Sequence, residues 1–262
     1  MSFWNDGQIH RNWIATYRQA DRQIVDIAIF EHLAGRFKTA GGTQVLDAGC
    51  GSCNKSVILA RQGLQVTGVD ASEWVLAEGQ RVVAEAGLET RISLRQDDLT
   101  RLSLASSSMD HAVACGVLMH IPDVAQALHE LVRVLRPGGL LALSEISLRS
   151  PESRLDVWMR RLLRKKSPRM VATPWGLEFW SEHKSGQLCT RRLDVGFLLR
   201  QTPALGLRLI ERRGILTEQY TRVRWPWLRR ILLQLNRWWF KRGVCPQMGF
   251  GTVLLFKKEA RP

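Results

Sequence analysis

Nowhere in this chain of 262 residues do eighteen apolar residues follow one another, which excludes a membrane-spanning helix from the reading. No charged-then-apolar leader opens the sequence, so a cytoplasmic protein is expected. Cysteine is sparse: Cys50, Cys53, Cys115, Cys189 and Cys245 form an odd, scattered set that makes no disulfide framework. Cys50 and Cys53 have the Cys-x-x-Cys spacing of redox and zinc sites. No second pair or nearby histidine completes four ligands, so packing is expected there and no metal. Acid is scarce in one part only. Residues 1–150 carry 14 Lys+Arg against 16 Asp+Glu, whereas residues 151–262 carry 24 against 8, together with seven of the ten tryptophans. The formal net charge of +14 therefore belongs to the second part, where something anionic, or an anionic surface, is the expected contact. The length fits one domain with insertions.

What the chain does have is a glycine loop between two acids. Val45-Leu46-Asp47-Ala48-Gly49-Cys50-Gly51 reads as an apolar strand ending in Asp-x-Gly-x-Gly and opening a helix. A second apolar run, Val66-Thr67-Gly68-Val69, ends in Asp70. Glycines let backbone approach a ligand where a Cβ would collide, and the second acid suits ribose hydroxyls. A nicotinamide site would ask for a third glycine where Asn54 stands. Asp47 would also sit badly beside a pyrophosphate but suits a cation. The loop is read as a seat for S-adenosylmethionine.

Further segments follow in register. Asp98-Leu99 precedes Ser108-Met109-Asp110, which opens a strand into Ala114-Cys115-Gly116-Val117-Leu118-Met119-His120. Ile121-Pro122-Asp123, a helix and Leu135-Arg136-Pro137-Gly138-Gly139 come next, before Leu140-Leu141-Ala142-Leu143. In order and spacing, residues 43 to 146 resemble the class I S-adenosylmethionine-dependent methyltransferases of the small-molecule and quinone-modifying type. That resemblance implies an α/β, Rossmann-like sheet of seven strands, mostly parallel with the last antiparallel, and helices on both faces. Strands are expected near 43–48, 65–70, 91–95, 110–116 and 139–146, and helices near 54–62, 73–86 and 123–135. Residues 1–42 read as an N-terminal helical cap and 43–146 as the cofactor-binding core. Residues 147–262 read as acceptor-side insertions plus a helix near 194–204 and strands near 206–213 and 249–257 that complete the same sheet.

By the same resemblance, Asp47 helps hold the methionine end of the cofactor and Gly49 and Gly51 give close backbone approach. Asp70 takes the ribose hydroxyls and Ala71 lies against adenine. Asp98 accepts from the adenine amino group, with Leu99 as backbone donor, although Asp97 competes for that place. The loop at Cys115 meets the methionine amine, and Tyr17 in the cap is a candidate lid over it, with a core tyrosine as the alternative. His120 is the candidate general base, with a packing role as the alternative. His111 is read as structural. Glu145, at the end of the fifth strand, is expected at the cleft mouth as an acceptor-binding group.

Leu228, Ile231, Leu232, Leu235, Trp238 and Trp239 fall on one face of a helix, with Arg229, Arg230, Arg237, Lys241 and Arg242 on or beside the other. Residues 225–242 are thus a candidate for peripheral contact with an anionic membrane. The alternative is an ordinary surface helix that packs its apolar stripe on the sheet. The expected activity is methyl transfer to oxygen or nitrogen of a small, fairly apolar or lipid-like acceptor by in-line displacement. An RNA methyltransferase is the first alternative, although no RNA-binding module is visible and a nucleic-acid partner is disfavoured. A non-catalytic cofactor-binding scaffold is the second. The sequence does not indicate an oligomeric state.

Overall fold

The computed structural model describes residues 20–162, 169–183, 186–218, 220 and 223–260. Among the described residues, ten strands form two sheets. The large one contains β1 (Gln44–Ala48), β2 (Gln65–Asp70), β3 (Ile92–Gln96), β4 (Met109–Cys115), β5 (Leu135–Ile146), β9 (Leu207–Ile215) and β10 (Gly251–Lys258), in the order β3-β2-β1-β4-β5-β10-β9. Pairs among β1 to β5 are parallel, and β10 runs antiparallel to both β5 and β9. This is the expected seven-stranded, Rossmann-like sheet with its last strand reversed. The buried strands read as near-continuous apolar runs because both faces are covered.

One face is covered by α1 (Ala20–Ala40), α2 (Asn54–Arg61) and α3 (Glu73–Glu85), which bury Phe30, Phe37, Leu59, Leu64 and Val83 in one core layer. The other is covered by α4 (Val124–Val134) and α6 (Val195–Gln201), whose Leu128, Leu131 and Leu198 join a second layer. Helix starts are set by local chemistry. Ser72, Asp123 and Asp194 each accept from a backbone N–H in the first turn of α3, α4 and α6. Each such cap contributes about 1 kcal/mol. Asp110 fastens the sheet at its other end: its Oδ2 accepts from the N–H groups of Thr43 and Gln44, both at 2.8 Å, and Arg136 pairs with it at 2.6 Å. His111 is structural, as read. Its Nε2 lies 3.0 Å from the Gly41 carbonyl, its Nδ1 accepts from Leu140 N–H, and its ring stacks on Phe37.

The structure differs from the sequence reading after β5. The insertion opens with α5 (Pro151–Leu162) and continues as a separate antiparallel sheet of β6 (Arg169–Thr173), β7 (Gly176–His183) and β8 (Gly186–Leu193). Leu193 bridges to Ser147, so this small sheet is fastened to the end of β5. The C-terminal helix, α7 (Pro226–Arg242), does not follow the simple face division expected of it. It packs through Leu233, Asn236 and Phe240, while Ile231, Leu235 and Trp238 are exposed. Asn236 explains the choice of face, since its side-chain amide exchanges two hydrogen bonds with the Thr217 backbone, at 3.1 and 2.9 Å. Among the described residues no helix is long and apolar enough to cross a membrane.

Candidate active site

The order of strands reverses between β1 and β4, the place where open α/β sheets leave a crevice beyond their carboxyl ends. A cavity of about 1150 Å³ occupies it. Its walls include Asp47, Gly49, Gly51, Asp70, Ala71, Asp98, Leu99, Cys115 and His120. The topology thus brings nine of the expected site residues to one cavity from four separate stretches of chain. Tyr17 lies outside the described residues. Glu145 does not line the cavity.

The glycine loop is shaped by contacts around it. Gly49 has φ +72°, and a Cβ there would stand 2.5 Å from a methyl of Val117, so only glycine lets the two loops close. Gly51 has φ +54° and open space where its Cβ would be, which gives a ligand direct access to backbone. Cys53, also at positive φ, starts α2 without a side-chain cap, so the first N–H groups of that helix have no capping side chain. Cys50 and Cys53 are both buried, with sulfurs 3.8 Å apart. No metal-holding group of side chains occurs among the described residues.

The two acids of the loop have different environments. Asp70 Oδ2 accepts from Gly51 N–H and Oδ1 from Ser72 N–H, each at 3.0 Å. A carboxylate offers about four acceptor sites, so Asp70 can brace the loop and take ligand hydroxyls together. Asp47 is buried, and Ser56 Oγ donates to its Oδ2 at 2.6 Å. Burial pushes its pKa up to about 6, against the opposing pull of the Ser56 hydrogen bond and the Lys55 charge. A buried carboxylate in this condition favours a cationic ligand beside it. Ser56 and Lys55 escaped the sequence reading. Their signal was position, since both lie in the first turn after a loop ending in an uncapped helix.

Asp97 and Asp98 both line the cavity but bond differently. Asp97 is committed to its own turn, accepting from Ser103 Oγ at 2.6 Å and from the N–H groups of Asp98 and Ser103. Asp98 uses Oδ1 for Thr100, backbone and hydroxyl.

His120 ends a short 3-10 turn, Leu118–His120, after β4. Its Nδ1 lies 2.8 Å from the Cys189 carbonyl of β8. A carbonyl can only accept, so Nδ1 carries the hydrogen and Nε2 the basic lone pair. Burial lowers the His120 pKa below its ordinary 6.5, the Cys189 hydrogen bond opposes this and Arg191 adds to it. The ring is therefore neutral at pH 7.

Two buried charged residues hold that turn from opposite sides. Arg191 of β8 donates to the carbonyls of Leu118 at 2.9 Å and Ile121 at 2.8 Å. Its guanidinium is neutralised by Glu178 of β7 at 2.6 Å, whose other oxygen accepts from Trp180 Nε1. From below, Glu145 Oε1 accepts from the N–H groups of Val117 at 3.1 Å and Leu118 at 2.9 Å. Glu145 was expected at the cleft mouth; it is instead buried at 4% exposure beneath the turn. Strand alternation turns this position inward, where two backbone donors await an acceptor. Burial pushes the Glu145 pKa up to about 7, and its Oε2 is buried without a hydrogen-bond partner.

Comparison with known proteins fits this geometry. Residues 46–143 match a family profile described as "Methyltransferase domain". The chain is similar to "Methyltransferase GfsG" of Streptomyces halstedii, 38% identical over 120 residues that cover 45% of this chain and 43% of that one. It is also similar to "O-methyltransferase resE" of Aspergillus sclerotiorum, 32% identical over 137 residues, 52% of each. The chain spans about half the length of the curated relatives it matches. Among solved structures, magnesium protoporphyrin IX methyltransferase of Synechocystis with bound S-adenosylhomocysteine shares the fold. Its TM-score is 0.66 at 15% identity, over 98% of this chain and 97% of that one.

Proposed function

We propose that this chain is a class I S-adenosylmethionine-dependent methyltransferase that moves a methyl group to oxygen or nitrogen of a small, fairly apolar or lipid-like acceptor, a reading supported by its match over residues 46–143 and by its sheet order. The observation that carries the reading is the single cavity in which Gly49, Gly51, Asp47, Asp70 and His120 meet. The cavity suits the cofactor on three physical counts. Open space at the Cβ of Gly51 admits a ligand against backbone. Asp70 braces the loop while presenting carboxylate oxygens to ribose hydroxyls. Asp47, buried with a raised pKa, is relieved by the positive charge of the methionine end.

In this reading, Ala71 lies against adenine, Asp98 and Leu99 meet its edge, and the backbone near Cys115 meets the amine. When bound, the cofactor supplies an electrophilic methyl on a sulfonium. The chain's own work is to hold the acceptor in line and to exclude water. His120 receives the acceptor's O–H or N–H proton at Nε2, because Nδ1 is committed to Cys189. Glu145 and Arg191 keep the His120 turn in place and are positioning residues.

The test is transfer of labelled methyl from S-adenosylmethionine into cell extract, separated into organic, aqueous small-molecule and RNA fractions. Label in the organic or small-molecule fraction, absent with His120→Gln, supports the reading. Label in RNA overturns the acceptor class, and none in any fraction from the cofactor-bound protein favours a scaffold.

A further inference from the structure

The exposed side of α7 is unlike an ordinary solvated helix surface. Its inner ridge is spoken for by Leu233, Asn236 and Phe240. Phe240 meets His32 of α1 edge to face, and Arg213 of β9 donates to the last carbonyls of the helix at 2.7 and 2.6 Å. The helix is therefore docked and cannot roll to hide its other side. That other side carries Trp227 at 63% exposure, Ile231 at 49%, Leu235 at 43% and Trp238 at 50%. Steps of four, four and three residues place these four within one stripe of the helix. Trp225 at the helix start is 64% exposed, and Val244 and Met248 past its end are exposed as well.

The charge beside this stripe has one sign. No acidic residue occurs from Trp225 to Val244, while Arg230, Arg237, Lys241 and Arg242 are exposed on the helix and Arg224 is exposed before it. At 1.5 Å per residue, α7 is roughly 25 Å long. It is not long and apolar enough to cross a bilayer but has the pattern of a helix lying in the headgroup plane, tryptophans inward and long cations reaching to phosphates.

We propose that the exposed side of α7, Trp227-Ile231-Leu235-Trp238 with its flanking arginines and lysine, docks this protein on an anionic phospholipid surface. Charge complementarity selects that occupant. A second copy apposed on this face would bring arginines against arginines with no acid on the helix to answer them. A nucleic acid would answer the cations but has no use for Ile231 and Leu235, which lack a ring for a base to stack on. A bilayer answers both halves, with hydrocarbon for the stripe and lipid phosphate for the rim. The docking surface stands independently of methyl transfer. If the proposed function also holds, it places the enzyme where an apolar acceptor is dissolved.

The test is flotation of the full chain with phosphatidylcholine vesicles with and without phosphatidylglycerol, at low and high salt. The parent should float with anionic vesicles, and its tryptophan emission should shift to the blue. Trp227→Ser with Trp238→Ser should lose flotation and the blue shift. Arg230→Gln with Arg237→Gln should lower partitioning about fivefold per cation removed. All variants should retain parental affinity for S-adenosylhomocysteine, showing that the fold is intact. Equal flotation with neutral vesicles, no flotation, or variants that float like the parent would overturn the proposal. So would a concentration-dependent dimer abolished by the tryptophan substitutions, or polyuridine that binds in its place as tightly as lipid.

Discussion

Replacing Asp47 with Asn should make the ligand-free protein more stable and the cofactor complex weaker. The carboxyl is buried, and burial lifts its pKa from 3.8 to about 6. A tenfold change in proton affinity corresponds to about 1.4 kcal/mol, so holding Asp47 ionised at pH 7 costs the fold about 3 kcal/mol. The sign follows from linkage. A carboxyl whose folded pKa is raised destabilises the fold progressively as pH climbs from 3.8 through about 6, and the cost is constant above that. At pH 5 it falls to roughly half its value at pH 7. Asp47→Asn removes this cost while its amide oxygen can still accept from Ser56. At roughly 2–4 °C per kcal/mol, Tm at pH 7 should rise by several degrees, up to about 10 °C, and the gain should shrink as pH is lowered to 5. Affinity for S-adenosylhomocysteine should fall about 10- to 100-fold, because the cationic amine loses its counter-charge. Scanning calorimetry and titration calorimetry across pH 5–8 read both effects. A lower Tm together with unchanged affinity would refute the argument.

The turn that carries His120 gives the remaining predictions. Arg191→Met leaves Glu178 buried without its partner and strips the Leu118 and Ile121 carbonyls. It should cost about 3–5 kcal/mol, read as a lower Tm, and reduce turnover more than cofactor affinity. Glu145→Gln should raise Tm at pH 8 and do little at pH 5, since the pKa raised from 4.5 to about 7 makes ionised Glu145 costly only as pH climbs through that interval. Glu145→Ala, which removes the acceptor from Val117 and Leu118, should lower both Tm and turnover. His120→Gln should depress turnover by about 10²- to 10⁴-fold with cofactor affinity intact. In the parent, the rate should rise with pH through a value below 6.5 as the ring is neutralised.

The sheet was legible because its strands are short apolar runs punctuated by glycines, and parallel order follows from strand-helix alternation. Val45–Gly51 and Asp70 could be read because a glycine loop constrains residue types at fixed offsets. The small sheet of β6, β7 and β8 was not legible. Its strands mix Arg169, Glu178, Arg191 and Arg192 with apolar residues, so no alternation marks them, and the pairing that buries Arg191 on Glu178 is thirteen residues apart. Glu145 was misplaced for a related reason. An acid at a strand end resembles a site residue until the Val117 and Leu118 donors beneath it are located in space. In α7 the apolar count pointed to one face, but a single polar residue, Asn236, decided which face turned inward through its bonds to Thr217.

In the proposed function, S-adenosylmethionine is held in the cavity between β1 and β4 by Asp70 and the glycine loop. Titration calorimetry of the full chain with the cofactor, repeated on Asp70→Asn, is the measurement that decides it. The parent should bind at one site per chain and the variant at least about tenfold more weakly, the loss of one or two charge-assisted hydrogen bonds. Absence of binding in the parent, or equal affinity in the two proteins, would contradict it.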